Sequence, residues 1–357
     1  MINVTKTFLP VRKSFDKYVD RIYSNNWLTN FGQLERELTE KLKDFLGVNN
    51  LLLTTNGTLA MQVAYKALGL NGEVITTPFS FVATTSSLVW EGLTPIFADI
   101  NSNSLNIDPN FIEDKITSKT SAILPVHVFG RSCDVKSIQE IADRHDLKVI
   151  YDAAHSFNVR VTDTSESILN YGDVSTLSFH ATKLFHTIEG GAIISDDSNL
   201  IAECRKLINF GITGYDQVDG QGINAKMNEF SAAMGLAVLE NIDFIIEERE
   251  RIGHLYQKLL PEYLLPPSIK NSNNNFSYFP VLFKDEDECL RIREALIKKE
   301  IIPRRYFHPS LESLKYVKQQ SCPISKDISG RILCLPIYPG LSENDQYLVI
   351  NILRDLL

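Results

Sequence analysis

Cysteine is scarce and scattered. Cys133, Cys204, Cys289, Cys322 and Cys334 are odd in number and form no C-x-x-C. That pattern argues against a disulfide framework or a zinc site and predicts reduced thiols in a cytoplasmic protein with no metal. No apolar run approaches the roughly 18–20 residues that span a membrane, and the N-terminus lacks the basic patch and apolar core of a secretory leader. Basic residues are in deficit: 36 Lys and Arg face 44 Asp and Glu, giving a formal net charge of −8 and a pI near 5.5. The deficit speaks against non-specific nucleic-acid binding but leaves room for a local pocket for a small anion. Internal repeats are missing, and no low-complexity linker exceeds Ser272-Asn-Asn-Asn275. Two phosphate-binding signatures are also missing. There is no G-x-x-x-x-G-K-[ST], and Gly220-Gln-Gly222 lacks the third glycine of G-x-G-x-x-G and follows no strand.

What is present is an alternation of helix and strand. The length of 357 residues suits one large domain and a smaller one, expected at 1–245 and 246–357. Leu34, Leu38, Leu42, Phe45 and Leu46 recur at helical spacing until Gly47 stops the run. Strands are predicted at Leu51–Thr54, Glu73–Thr77, Pro95–Asp99, Ala122–Val126, Val149–Asp152, Asp173–Phe179 and Gly191–Ile194. Helices are predicted at Thr58–Leu68, Phe81–Trp90 and Val135–His145, with one long helix from Asn228 to about Leu260 leading into a second, smaller α/β unit. On that long helix Phe230, Met234, Ala237, Val238 and Ile242 share a face. The alternation predicts an α/β fold, a mostly parallel sheet covered by helices on both faces. Ligands of such sheets bind at the carboxyl ends of strands. Asn56-Gly-Thr58, Pro78–Phe81, Asp152–His155 and Ser178–Lys183 all fall there.

Each of these residues has a functional and a structural reading. Lys183, just past a strand, has the chemistry to form a Schiff base with a carbonyl cofactor, although most lysines are solvated surface charge. Asp152 at another strand end completes the pairing that pyridoxal phosphate (PLP) needs: one residue to hold the aldehyde, one to keep the pyridine nitrogen protonated. Gly57-Thr58 opens a helix, where free N–H groups suit a phosphate, or where Asn and Thr simply cap. Phe81 is placed to stack on a flat ring or to join the core. His155 either reaches a cofactor's ring hydroxyl or fills the strand-end turn, and His180 is open to both roles.

At this point the motifs match a known family. The segments Trp27-Leu-Thr-Asn-Phe-Gly32, Asn56-Gly-Thr58, Thr77–Thr84, Asp152-Ala-Ala-His155, Ser178–Lys183, Gly222-Ile-Asn-Ala-Lys-Met227 and Leu333-Cys-Leu-Pro-Ile337 together resemble the DegT/DnrJ/EryC1/StrS sugar aminotransferases, PLP enzymes of fold type I. The resemblance covers nearly the whole chain. It implies Lys183 as Schiff-base lysine and proton shuttle, Asp152 on the pyridinium nitrogen and Phe81 against the ring. It puts Gly57, Thr58 and Ser178 on the phosphate, with Asn224 reaching across from the other subunit of a homodimer. Histidine stands at 155 where many members have glutamine, and Ile188-Glu-Gly-Gly191 replaces their G-E-G-G.

The implied reaction moves an amino group from glutamate, through pyridoxamine phosphate, to a nucleotide-linked 4-keto-6-deoxysugar. Thr29, Asn30, His180, Arg304 and Arg305 are the expected substrate contacts. The two arginines offer guanidinium forks for a diphosphate, or are ordinary surface charge. Arg304-Arg-Tyr-Phe-His-Pro309 and Phe179-His-Ala-Thr-Lys183 most resemble members that make dTDP-4-amino-4,6-dideoxyglucose. Rival readings are amination at C-3, a dehydratase on the same scaffold, and a non-catalytic binding protein. Dehydratase relatives carry histidine where Lys183 stands, and a binding protein has no need of Lys183, Asp152 and a phosphate cradle together.

Overall fold

The computed structural model describes residues 1–267 and 271–357. The chain opens with a two-residue strand β1 (Ile2–Asn3), then α1 (Arg12–Asn25) and α2 (Gln33–Leu46). Gly47 ends α2 with φ +67° and its N–H on the Lys43 carbonyl, the left-handed stop that glycine adopts at low cost. The alternating region follows as β2 (Leu51–Thr54), α3 (Gly57–Ala67), β3 (Glu73–Thr76), α4 (Val82–Trp90), β4 (Thr94–Phe97), β5 (Thr120–Leu124), α5 (Val135–His145), β6 (Lys148–Asp152), β7 (Val174–Ser178), β8 (Gly191–Ile194) and α6 (Ser198–Leu207).

Seven strands form one sheet in the order β2-β8-β7-β6-β5-β3-β4. Adjacent strands are parallel except at β8, which runs antiparallel to both β2 and β7. The reason is local. The connection from Phe179 to Gly190 contains no helix, so it cannot make the crossover that a parallel return requires. That same connection carries Lys183. Because β2, β3, β6 and β7 share one direction, the four expected motifs arrive at one edge of the sheet. The sheet is covered on both sides, as its near-continuous apolar strands require. One layer packs α1, α2, α5 and α7 (Glu229–Leu239) against Leu53, Ile75, Ile123 and Val149. The other packs α3, α4 and α6 against Leu52, Val74, Leu124 and Ile193.

The expected single helix from 228 to about 260 is two. Asn228 caps α7 by accepting from Ser231 N, and the chain breaks at Glu240–Asn241 before α8 (Ile242–Leu259). Asn241 leaves helical geometry and donates its side-chain amide to the Ala237 carbonyl at 2.9 Å, one of the last carbonyls of α7. The break reconciles two different environments. Ser231–Val238 is buried on every side, whereas α8 is amphipathic. Phe230 leaves the apolar face expected for it and is 37% exposed.

An exposed hairpin, β9 (Ile212–Gly214) and β10 (Gln217–Val218), precedes α7. After α8 come β11 (Phe279–Leu282), α9 (Glu286–Lys298), β12 (Ile301–Ile302), α10 (Pro323–Arg331), β13 (Ile332–Leu335) and α11 (Glu343–Leu356). β11 pairs antiparallel with β13, and β12 pairs with β1. These elements close a second core running from Ile252 to Leu353. α8 contributes Ile242 and Ile245 to the first core and Ile252 and Tyr256 to the second. Among the described residues no helix is long and apolar enough to cross a membrane.

Candidate active site

A cleft of about 410 Å³ opens where the carboxyl edge of the large sheet meets the second core. That volume lies in the range of small-ligand sites. Its chemistry starts at Asp152, the last residue of β6, which is only 6% exposed. Burial raises the pKa of this carboxyl. Hydrogen bonds from Thr84 Oγ1 to Oδ2 (2.7 Å) and from Ala154 N to Oδ1 (3.1 Å), with the charge of Lys183, oppose the rise. Lys183 sits in the connection after β7, its backbone N–H turned onto the His180 carbonyl. Burial lowers its amine to about 8, against the opposing pull of Asp152 and Tyr306. A lysine so depressed has an appreciable neutral fraction near neutral pH and can act as nucleophile and base. Its Nζ donates to Tyr278 Oη at 3.2 Å.

The N-terminus of α3 lies beside them. Asn56 is the N-cap of α3, its side chain accepting from Leu59 N at 2.8 Å. The capping reading of this motif therefore holds, but for Asn56; the first-turn N–H groups of Gly57 and Thr58 have no intrahelical partner and line the cleft. Register brings the cradle together, because Gly191 pairs with Thr54 on one side and Ser178 on the other. The approach tolerates no side chain. A Cβ on Gly57 would stand 3.0 Å from Ser178 Cβ, and one on Gly191 would stand 2.6 Å from the Asn56 carbonyl.

Aromatic rings form the remaining walls. Phe81, at the N-terminus of α4, lies 52% exposed on the cleft. His155 is 4% exposed and stacks on Phe307 at 5.6 Å. Burial, with the charge of Lys183, holds its pKa well below the usual histidine value, so it is neutral. Its Nδ1 accepts from Phe129 N at 3.3 Å, which leaves the proton on Nε2. Tyr278, Tyr306 and Phe307 come from the far side and were not singled out by sequence reasoning, although Tyr306 and Phe307 lie inside a quoted motif. Thr84 was likewise inside a motif without an assigned role.

The other expected residues divide. His180 and Arg304 line the cleft. His180 Nδ1 meets Thr182 Oγ1 at 2.8 Å, and the Arg304 guanidinium lies 5.3 Å from the Tyr306 ring centre. Arg305 does not join them. Its guanidinium is bound to Glu286 at 2.6 Å and to the Gly330 carbonyl at 2.7 Å, tying α9 to α10. Thr29 and Asn30 lie on the exposed loop between α1 and α2, outside this cleft. Asn224 is exposed and bridged to Asn209, also outside it. Ile188 adopts φ +71°, the left-handed conformation that glycine serves best.

This donor set fits PLP. A buried carboxylate, a depressed lysine, free helix-terminal N–H groups and an aromatic platform match a cationic ring, an aldehyde, a phosphate and a flat face in turn. The sequence pattern of the DegT/DnrJ/EryC1/StrS aminotransferase family matches residues 11–354. The chain is 42% identical, over all its length and 98% of the relative's, to the Escherichia coli dTDP-4-amino-4,6-dideoxy-D-glucose transaminase. Among solved structures, DesI in the presence of its TDP-sugar product superposes with a TM-score of 0.93 at 34% identity, over 99% of this chain and 92% of that one. NtdA from Bacillus subtilis, with bound cofactor PMP, gives 0.87 at 26% identity, over 96% and 81%. The chain belongs to the DegT/DnrJ/EryC1/StrS aminotransferase family.

Proposed function

We propose that this chain is a PLP-dependent transaminase that aminates dTDP-4-keto-6-deoxyglucose at C-4, with glutamate as the amino donor. The observation that carries the chemistry is the placement of Lys183 and Asp152 at neighbouring strand ends in one cleft. The likeness to the E. coli transaminase over both full lengths, and to DesI with its TDP-sugar product, supports the substrate. PLP, when bound, supplies the electron sink and carries the amino group between donor and acceptor.

The residues divide the remaining work. Asp152 keeps a negative charge against the ring nitrogen, and Thr84 and the Ala154 N–H keep Asp152 ionised. Lys183 holds the cofactor at rest and, once free, moves the proton at the carbon that gains or loses nitrogen. Gly57, Thr58 and Ser178 hold the phosphate, Phe81 covers one ring face, and His155 offers its Nε2–H. Arg304, on the cleft wall, meets the sugar-nucleotide diphosphate in this reading. A second copy of the chain supplies Asn224 to the phosphate. The exposed Trp27, Leu28, Phe210 and Ile223, near Asn224 or on the neighbouring expected loop, support such a face.

The test offers the enzyme 4-keto and 3-keto dTDP-sugars with glutamate and assigns the products by NMR. C-3 and C-4 ketones differ in position by on the order of 2–3 Å, and a misplacement of about 1 Å can cost on the order of 100-fold. An equatorial C-4 amine and a strong kcat/KM preference for the 4-keto sugar are expected. Preference for the 3-keto sugar, or an axial amine, rejects the regiochemistry. No amination of either rejects the function.

A further inference from the structure

The segment just before β11 reaches the site from the second core and is held from two sides, through its backbone on one and its side chains on the other. Arg249, 2% exposed on α8, donates Nη1 to the carbonyls of Phe276 (3.1 Å) and Ser277 (3.2 Å). From the sheet side, Asn275 Nδ2 donates to the carbonyls of His155 (2.8 Å) and Phe157 (2.9 Å), and Ser277 Oγ to that of His155 (3.1 Å). Tyr278 follows directly. Its ring packs edge-on against His155 at 4.8 Å and Tyr306 at 5.5 Å, and its hydroxyl accepts from Lys183 Nζ at 3.2 Å. A phenol fixed in backbone and ring thus ends on a reacting nitrogen, although nothing in the expected catalytic set assigns it a part.

We propose that Tyr278 is a positioning residue that fixes the direction of the Lys183 amine whenever that amine is free. The inference rests on Lys183 being the reactive lysine. A neutral amine has two N–H bonds and one lone pair. Donating one N–H to Tyr278 Oη confines rotation about the terminal bond and aims the lone pair at one side of the cleft. Lysine otherwise has a long flexible stem and loses much rotamer freedom on being held. Burial raises the Tyr278 pKa, so the phenol stays a neutral acceptor rather than a phenolate that would trap an ammonium. Tyr278 directly follows the segment held by Arg249 and the His155 carbonyl, so the amine is aimed only when that segment is docked.

The test compares wild type with Tyr278→Phe, which keeps the ring and removes one oxygen. The first readout needs no turnover. In the full-length chain freed of PLP, competitive acetylation across pH with peptide mapping reports the titration of Lys183. The groups facing that amine are Asp152 and His155 after β6, Tyr278 and Tyr306 with Arg304 from the second core, and His180 and Glu189 on its own connection. All but Tyr278 remain in the variant. Loss of an acceptor that stabilises the ammonium more than the amine lowers the Lys183 titration by about half a unit to one unit. The second readout is kinetic: kcat falls about 10- to 100-fold, with both KM values within about twofold. Site-specific 3-fluorotyrosine at 278, a weaker acceptor of nearly the same shape, gives an intermediate profile and covers any folding defect. An unchanged Lys183 titration with unchanged kcat overturns the proposal and leaves Tyr278 as packing. Failure of wild-type Lys183 to carry the cofactor is a separate outcome, visible by peptide mapping, and overturns the functional reading instead.

Discussion

Thr84 Oγ1 spends its single proton on Asp152 Oδ2, at 2.7 Å, so the 2.8 Å contact between Ser80 Oγ and Thr84 Oγ1 must have Ser80 as donor. A directed chain, Ser80 to Thr84 to Asp152, therefore ends on the buried carboxylate. Such a relay opposes the burial that pushes Asp152 toward its neutral form. It is the largest of the influences that hold down the rise in pKa of a carboxyl only 6% exposed.

The relay makes a graded prediction. Asp152→Asn binds PLP but loses at least about 100-fold in kcat, the scale of a missing preorganised charge. Thr84→Val removes a donor that favours the ionised form, so the Asp152 pKa rises. The acid limb of the pH–rate profile then moves to higher pH, with a rate loss near neutrality of about 3- to 10-fold. Near-normal turnover in Asp152→Asn would make the carboxylate structural.

Lys183 also predicts a pH-dependent stability in the chain freed of PLP. Its folded pKa is lowered, from 10.5 to about 8, so the folded state binds the proton less well than the unfolded state. The destabilisation is full below about 8 and fades as pH rises toward 10.5. Lys183→Met should therefore stabilise the cofactor-free protein at pH 7, by on the order of 3 kcal/mol at most. The gain should shrink as pH rises through that window. Urea unfolding of both proteins at several pH values measures it, and a difference independent of pH contradicts it.

Asn224 bears on assembly. It is exposed and lies outside the cleft of its own chain. If it reaches a partner's phosphate, Asn224→Ala weakens PLP binding by about 10-fold, the scale of one charge-assisted hydrogen bond. The wild type should sediment as a dimer, and mixing Asn224→Ala with Lys183→Ala chains should restore some activity through hybrid dimers. A fully active monomer would contradict shared sites.

Much of the site was legible because its large-sheet half is local. Gly57, Asp152, Ser178 and Lys183 end or follow strands whose apolar runs are visible in the sequence, and parallel strands deliver their ends to one edge. The opposite wall was not legible. Tyr278 reaches Lys183 across 95 positions, and nothing near it marks it as a site residue. Arg305 looked equivalent to Arg304, yet its pairing with Glu286 is decided by how α9 packs on α10. The α7–α8 break was hidden because apolar residues continue through Ile242, and only the side chain of Asn241 marks the change. α1 was also passed over in the sequence, since Tyr18 and Ile22 are the only fully buried residues on it.

The central claim is that Lys183 is the residue that holds PLP in a transaminase. Borohydride reduction of the wild-type holoenzyme, followed by peptide mapping, tests it most directly. The account predicts the pyridoxyl label on Lys183, protection from labelling after prior treatment with glutamate, and no label in Lys183→Ala. A label on any other lysine, or none in the yellow holoenzyme, would contradict it.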